Sequence, residues 1–249
     1  ARAMLTFEKQ LADWIRQTTV EWRDVLTDFM PREQLMAELD TLRHAGVRFL
    51  IDGGYDDAER VRLFMTMFDE EPTRKDLAIG VIAFRGQMKF TSFSHRDCLG
   101  ALMALGFERR CIGDIIVRED GFDVLTNSEI DDFLLMSDVS IRRVPMKAKK
   151  IALENWQAPE RTLKMLSVLV AQTRLDAVIA KVFNLSRSQA VELIRAGLVQ
   201  IDHQVVTNAS RQCDAGQIIT VRGKGKFVVD AVEGMSKKGK IKLSIGKYV

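Results

Sequence analysis

The chain has 249 residues, 47% of them apolar, and a formal net charge of +3. That apolar content supports one large core or two to three small ones and excludes a disordered chain; no apolar run reaches membrane-span length and the opening Ala1-Arg2-Ala3-Met4 leads into no signal-peptide core, so a cytoplasmic protein without a membrane partner is expected. The three cysteines, Cys98, Cys111 and Cys213, are far apart and lack metal-ligand spacing, so they read as reduced core thiols, and neither a zinc site nor any other cofactor is expected.

Leu11, Trp14, Ile15, Trp22, Val25 and Leu26 recur at near-helical spacing and predict an opening helical segment. Pro31 suits the first turn of a further helix carrying Leu35, Leu39 and Leu42 and closed by Gly46. Arg48 to Ile51 and Val61 to Phe68 read as strands flanking the Gly53-Gly54 turn, the second with a short helix as its alternative. From Leu77 the pattern gives a strand to Phe84, a helix capped by Ser94 and stopped at Gly106, a strand Asp114 to Arg118, the Asp120-Gly121 hairpin turn and a strand Phe122 to Leu125. A helix capped by Asn127 or Ser128 and a strand Val139 to Val144 complete a β-α-β-β-α-β order, the split-βαβ or ferredoxin-like arrangement also found in RNA-recognition (RRM-like) modules. Glu119-Asp120-Gly121-Phe122-Asp123 lacks the basic, paired-aromatic signature with which such modules stack bases, so a packing or docking platform is favoured there. Pro145 to Pro159, with Lys147, Lys149, Lys150 and Trp156, suits a connector.

Beyond it, Leu175, Val178, Ile179, Val182 and Phe183 give one helix an apolar stripe, with Arg174 and Lys181 on another face. Ser186 and Gln189 form a capping box, so a second helix begins at Arg187, buries Ala190, Val191 and Ile194, and stops at Gly197. Val199 and Ile201 make a short strand, Asp202-His203-Gln204 a turn, and Ile218 to Val221 a returning strand. Arg222, Lys224 and Lys226, at period two, would place three cations on one strand face. Residues 172–249 hold 13 Lys+Arg against 6 Asp+Glu, a net +7 that leaves −4 for residues 1–171. Such a basic end on an acidic body fits a nucleic-acid partner, because Lys and Arg release counterions from phosphates. The expected fold class is α+β, divided into a helical segment (1–75), a ferredoxin-like domain (76–150), a connector (151–171) and a small basic RNA-binding domain ending in a basic hairpin (172–249).

R-L-D at 174–176, S-R-S-Q-A at 186–190, I-R-A-G-L-V-Q-I-D at 194–202 and D-A-G-Q-I-I-T-V at 214–221 resemble the RNA-binding domain named after small-subunit ribosomal protein S-four, departing from it at Asp202-His203, where many members carry Asn-Gly. Leu26 to Gln34, D-G-G-Y-D-D-A-E-R at 52–60, Ser94 to Gly106 and Gly113-Asp114-Ile115 are similar to the YlmH family of bacterial ribosome-associated proteins, over nearly the whole chain. The resemblance implies a factor that binds the large ribosomal subunit carrying an obstructed peptidyl-tRNA, in ribosome-associated quality control. It implies rRNA or tRNA as partner, with ribosomal proteins beside it, and RNA contacts at Arg174, Ser186, Arg187, Ser188 and Arg195, flanked by Gln200 to His203. Charge and helix face add Lys181, Arg211, Lys224 and Lys226, and Ser186 is chiefly structural.

A non-catalytic monomer is expected. His95-Arg96-Asp97 resembles a kinase catalytic loop, but position 102 is Leu where that chemistry needs Asn, and no Gly-rich phosphate loop exists. Pseudouridine synthases carry S-four domains and an R-L-D aspartate, yet here Asp176 is followed by Ala177-Val178-Ile179-Ala180 and lies within the binding module. A third reading is an adaptor whose acidic body docks a protein while the basic end holds RNA.

Overall fold

Thr6 opens the described part of the chain, which in this computed structural model comprises residues 6–88 and 92–249. Its hydroxyl caps helix α1 (Phe7–Thr19). The helix does not extend through Trp22 to Leu26 as its spacing predicts. Trp22 turns the chain at φ +54°, and β1 (Val25–Leu26) pairs with Met65 and Phe64. The β-branched run Thr18-Thr19-Val20 weakens helix continuation, and a strand partner satisfies the backbone instead. After β2 (Met30–Pro31), the single helix expected over Leu35 to Leu42 is two short ones, α2 (Arg32–Met36) and α3 (Leu39–His44), with Leu35, Leu39 and Leu42 all buried and Gly46 reversing the chain at φ +74°. Strands β3 (Arg48–Asp52) and β4 (Arg60–Thr66) are antiparallel, and β4 also receives β1 and β2.

A 3-10 turn, Arg74–Leu77, leads into β5 (Gly80–Arg85), α4 (His95–Met103), β6 (Ile112–Arg118), β7 (Gly121–Thr126), α5 (Asp131–Leu135), β8 (Val139–Ile141) and β9 (Val144–Ile151). These strands form an antiparallel sheet in the order β6-β7-β5-β9-β8. Neither Asn127 nor Ser128 caps α5: the Asn127 side chain accepts from the Glu129 amide (3.1 Å), the Ser128 hydroxyl donates to Ala78 O (2.6 Å), and the helix starts two residues later from Ile130. The expected strand 139–144 is a hairpin turned by Arg142 and Arg143 at φ +48° and +68°, and its second arm, β9, takes in Lys147 to Ile151, which composition assigned to the connector. Prolines flanking a lysine run read as linker; pairing with β5 decides otherwise.

One face of this sheet packs Ile82, Phe84, Phe122 and Val124 under Cys98, Leu102 and Leu134, with Phe84 and Phe122 stacked at 4.8 Å. The aromatic side chain of the third strand is therefore core. Part of the opposite face, Val81 and Leu125, is covered by Phe29, Leu50, Phe64 and Leu77. Asp114 fastens the two sheets: its carboxylate accepts from Tyr55 Oη (2.6 Å) and from the amides of Glu59 and Arg60 (both 2.9 Å). A Cβ at Gly53 would meet Arg60 O at 2.1 Å, so only glycine admits that approach. The D-G-G-Y-D-D-A-E-R and G-D-I motifs are thus two halves of one structural clamp.

Residues 160–249 form a second compact unit, distinct from 1–159. It begins with β10 (Leu163–Val170), so the connector expected over 151–171 contains a full strand, paired along its length with β15. Then follow α6 (Leu175–Val182), α7 (Arg187–Arg195), β11 (Val199–Ile201), β12 (Gln204–Val205), β13 (Ile218–Val221), β14 (Gly225–Met235) and β15 (Ile241–Tyr248), with strand order β10-β15-β14-β13-β11-β12. Leu175, Val178, Ile179, Ala190, Ile194, Ile219, Phe227 and Ile245 build its core. Helix α6 is buried from Leu175 through Ala180, well beyond the single stripe its periodicity suggests, leaving Lys181 exposed. The described chain is thus a mixed α and β protein with seven α-helices and antiparallel sheets.

Candidate nucleic-acid interface

Helix α7 starts with the capping box its sequence predicts. The Gln189 amide donates to Ser186 Oγ and the Ser186 amide to Gln189 Oε1, both at 3.0 Å. Arg187 and Ser188 occupy the exposed first turn, where the amides of a helix start favour an anion. The start of α6 is different, because its amides are spent within the unit: Leu175 N donates to Arg211 O (2.8 Å), Asp176 N to Ala209 O (3.1 Å) and Ala177 N to Asp176 Oδ1 (2.7 Å).

The centre of the site is a residue absent from the predicted contacts. Asp176 is 2% exposed. Arg174 reaches it with Nε (3.2 Å) and Nη2 (3.0 Å), and Arg187 with Nη2 (3.1 Å). Burial raises the Asp176 pKa, but hydrogen bonds from Arg174, Arg187 and the Ala177 amide outweigh it and hold the carboxyl below its ordinary value. The aspartate therefore stays ionised and fixes two guanidinium groups whose side chains remain about one-third (Arg174) and one-half (Arg187) exposed. A fixed fork loses less conformational freedom on meeting a phosphate than a free one does.

A groove of about 340 Å³ joins Arg187 to Lys181 and to Lys240, over Ala177, Ala180 and Leu185. Lys240 closes the β14–β15 hairpin, where its amide donates to Ser236 Oγ (3.1 Å). Its signal in the sequence is the run Lys237-Lys238-Gly239-Lys240-Ile241-Lys242, which pattern alone could not direct toward α6.

The other predicted positions are spread around the unit. Arg211 is exposed in the loop that wraps the α6 start, and Arg195 ends α7 on the surface. Gln200 is half-buried in β11, opposite Val205 and Thr220. Asp202 and His203 both adopt positive φ, +47° and +69°, so the two-residue hairpin keeps its left-handed turn without Asn-Gly, and Asp202 Oδ1 anchors it by accepting from Ile218 N (2.9 Å). Arg222, Lys224 and Lys226 do not share a strand face. Gly223 at φ +79° and Gly225 at φ +138° make residues 222–224 a turn; Lys224 borders α7 beside Gln189 and Ala196, and Lys226 lies over the Tyr248 ring at 5.6 Å.

In the first unit, His95-Arg96-Asp97 is a helix start: Asp97 accepts from the Ser94 amide (2.8 Å) and pairs with Arg142 (3.5 Å). Burial pushes the Cys98 thiol up to about 11 and the Cys213 thiol to about 12, consistent with inert core thiols. No helix among the described residues is long and apolar enough to cross a membrane.

Residues 72–155 match the family described as "Putative RNA-binding domain in YlmH", and residues 173–219 match the S4 domain. A curated relative from Bacillus subtilis (strain 168), "Ribosome-associated protein quality control protein P2", is 32% identical over 235 residues, covering 94% of this chain and 91% of that protein. Among solved structures, "Cell division protein ylmH from Streptococcus pneumoniae" is similar with a TM-score of 0.50 at 21% identity, over 62% of this chain and 97% of that one, a likeness of fold alone.

Proposed function

The chain belongs to the YlmH family, and from that premise we propose that it is a non-catalytic RNA-binding protein that acts as a single copy on the large ribosomal subunit, in quality control of stalled translation. Its S4 unit clamps an rRNA helix or a tRNA arm by shape and phosphate contact. The observation that carries this reading is the buried Asp176 carboxylate, which aims Arg174 and Arg187 outward beside the capped start of α7, with Lys181 and Lys240 across the groove. Two forks and two lysines form a surface matched to consecutive phosphates, and such contacts dominate protein–nucleic acid interfaces. Ser188, Arg195, Gln200, His203 and Arg211 extend it. We read the middle sheet, with strand order β6-β7-β5-β9 and α4 and α5 on one face, as ferredoxin-like. Base stacking in the manner of an RRM is not part of the proposal, since helices cover one face and Phe29, Leu50 and Phe64 cover part of the other.

A synthase role for Asp176 is disfavoured because both carboxylate oxygens are already engaged. The test is cosedimentation of the full chain with large ribosomal subunits over a salt series. Replacing Arg174, Arg187 and Arg195 together by Glu abolishes association, and the exposed pair Lys181→Glu/Lys240→Glu weakens it and flattens the salt slope by up to about 0.9 per lost contact. Unchanged cosedimentation of folded variants, checked by circular dichroism, would sink the proposal.

A further inference from the structure

Residues 119–141 hold seven Asp+Glu and no Lys, Arg or His. Three of these carboxylates are paired internally: Asp120 with Arg85, Asp123 with Arg85 and Arg118, and Asp131 with Lys150. Glu129, Asp132 and Asp138 are exposed around α5 and have no ion pair among the described residues. Among them the chain exposes large apolar side chains that a solvated face does not need. Met136 is 86% exposed and Phe133 49%, with Leu135 also exposed. Phe133 meets the ring of Phe107 edge-on at 6.4 Å, which extends the apolar area to the loop after α4. Glu108, beside Phe107, is already paired with Arg110.

The outward direction of these side chains is built into the packing of α5. Leu134 is fully buried and Asp131 nearly so. One Asp131 oxygen accepts from Thr126 Oγ1 and the other faces Lys150 Nζ (3.2 Å). A Cβ at Gly80 would meet that second oxygen at 2.4 Å, so the start of α5 rests on bare backbone. Positions three apart share a helix face, so turning 131 and 134 inward turns 133 and 136 to solvent. Single exposed hydrophobics are ordinary, but Phe133, Leu135 and Met136 fall within four residues, and aromatic and Met side chains inside a polar rim have the composition of an interface centre. The sign of the rim selects the occupant. Asp132 also suits the positive end of α5, whereas Asp138, beyond the last turn, gains nothing from the helix dipole. Unpaired carboxylates repel phosphates and acidic proteins alike and attract Lys and Arg. We infer that the α5 face docks a basic amphipathic segment of a protein partner, with its apolar side chains on Phe133 and Met136 and its cations on Asp132 and Asp138. The inference rests on the reading above only for where such a partner is met, since proteins packed among rRNA carry basic segments that neutralise phosphates.

The experiment measures binding of the full chain, by fluorescence anisotropy, to a labelled helical peptide of Leu and Lys at amphipathic spacing, with a Leu/Glu peptide of the same spacing as control. The chain should bind the first and not the second. Phe133→Ser/Met136→Ser should lower that affinity about tenfold, and Asp132→Lys/Asp138→Lys about tenfold at low salt, the loss fading as salt is raised. Thermal unfolding of Met136→Ser and of the charge variant should match wild type, which separates loss of docking from loss of fold. Arg174→Glu/Arg187→Glu should keep peptide binding, so failure of the RNA reading leaves this result untouched. The partner is located by placing p-benzoylphenylalanine at position 136 and irradiating the chain on purified large ribosomal subunits. A crosslink to a Lys/Arg-rich segment of a subunit protein supports the inference. Crosslinks to RNA, to the chain's own basic unit or to a second copy would overturn it, as would a bound chain that crosslinks to no protein. Equal affinity for both peptides, or unchanged peptide affinity in both double variants, would overturn it as well. If the full chain does not cosediment at all, the proposed ribosomal role falls and the peptide measurements alone decide this inference.

Discussion

Asp114 in the first unit and Asp176 in the second are both buried carboxylates within recognisable motifs, the first of the YlmH family and the second of the S4 domain, and their partners separate architecture from interface. Asp114 spends its oxygens on two backbone amides and a tyrosine hydroxyl, all pointing inward, and so locks one sheet to another. Asp176 uses one amide in that way and gives its remaining capacity to two arginines that still face water. A buried carboxylate bonded to backbone stabilises a fold; one bonded to solvent-facing guanidiniums aims charge outward. Asp123 combines the two: Arg85 and Arg118 reach it, yet Arg85 also donates to Phe84 O and Phe122 O, and Arg118 to Gln157 O.

Substitution tests that distinction, and the architectural carboxylate should show the largest stability effect. Asp114→Ala leaves the Glu59 and Arg60 amides without their acceptor and is expected to destabilise the first unit by about 4 kcal/mol, read by denaturant unfolding; a loss below about 1 kcal/mol would contradict its clamp role. Asp176→Asn should cost about 2 kcal/mol, less because both arginines can turn to solvent, and should also weaken binding to large subunits about tenfold, an effect without counterpart at Asp114. The two losses appearing together, in unfolding and in cosedimentation, would sharpen the contrast; full RNA affinity in Asp176→Asn would erase it.

The same residue predicts a pH dependence. Its folded pKa lies below the unfolded value, so its contribution is complete above the ordinary carboxylate pKa of about 3.9 and fades as pH falls through the depressed folded value. Wild-type thermal unfolding should converge on that of Asp176→Asn as pH is lowered through this range, the variant lacking that part of the acid dependence. A constant separation of the two curves down to the acid limit would show that the carboxylate does not titrate as described. Ser186→Ala, which removes the cap of α7, carries the smallest effect, about 1 kcal/mol. Ser186→Asp, which can cap as well, should restore most of it.

Local signals in the chain survived folding where the chemistry was local. The cap at Ser94, the capping box at Ser186 and the stop at Gly197 depend on residues within a few positions of one another, and each takes the form its sequence suggests; the hairpin expected at Asp120-Gly121 turns one residue earlier, over Glu119-Asp120, because Gly121, in β7, already pairs with Arg118. Predictions failed where a distant partner decided. Val25 and Leu26 leave a helical period because β4 offers them a strand partner, and Leu163 to Val170 leave a linker because β15 pairs with them. Lys147 and Lys149 looked like solvated linker charge until β5 set their register.

What the sequence by itself determined is the family, the mixed α and β class and the basic character of the C-terminal unit, because composition, caps and motif spacing are written along the chain. Only the tertiary structure decided which charges lie together. Arg174 and Arg187 are thirteen positions apart, Lys240 is a further fifty-three beyond, and Arg85 and Arg118 are separated by a helix and a strand crossing. Their grouping follows from buried carboxylates and sheet register, interactions that depend on distance in space and leave no periodic trace in the sequence.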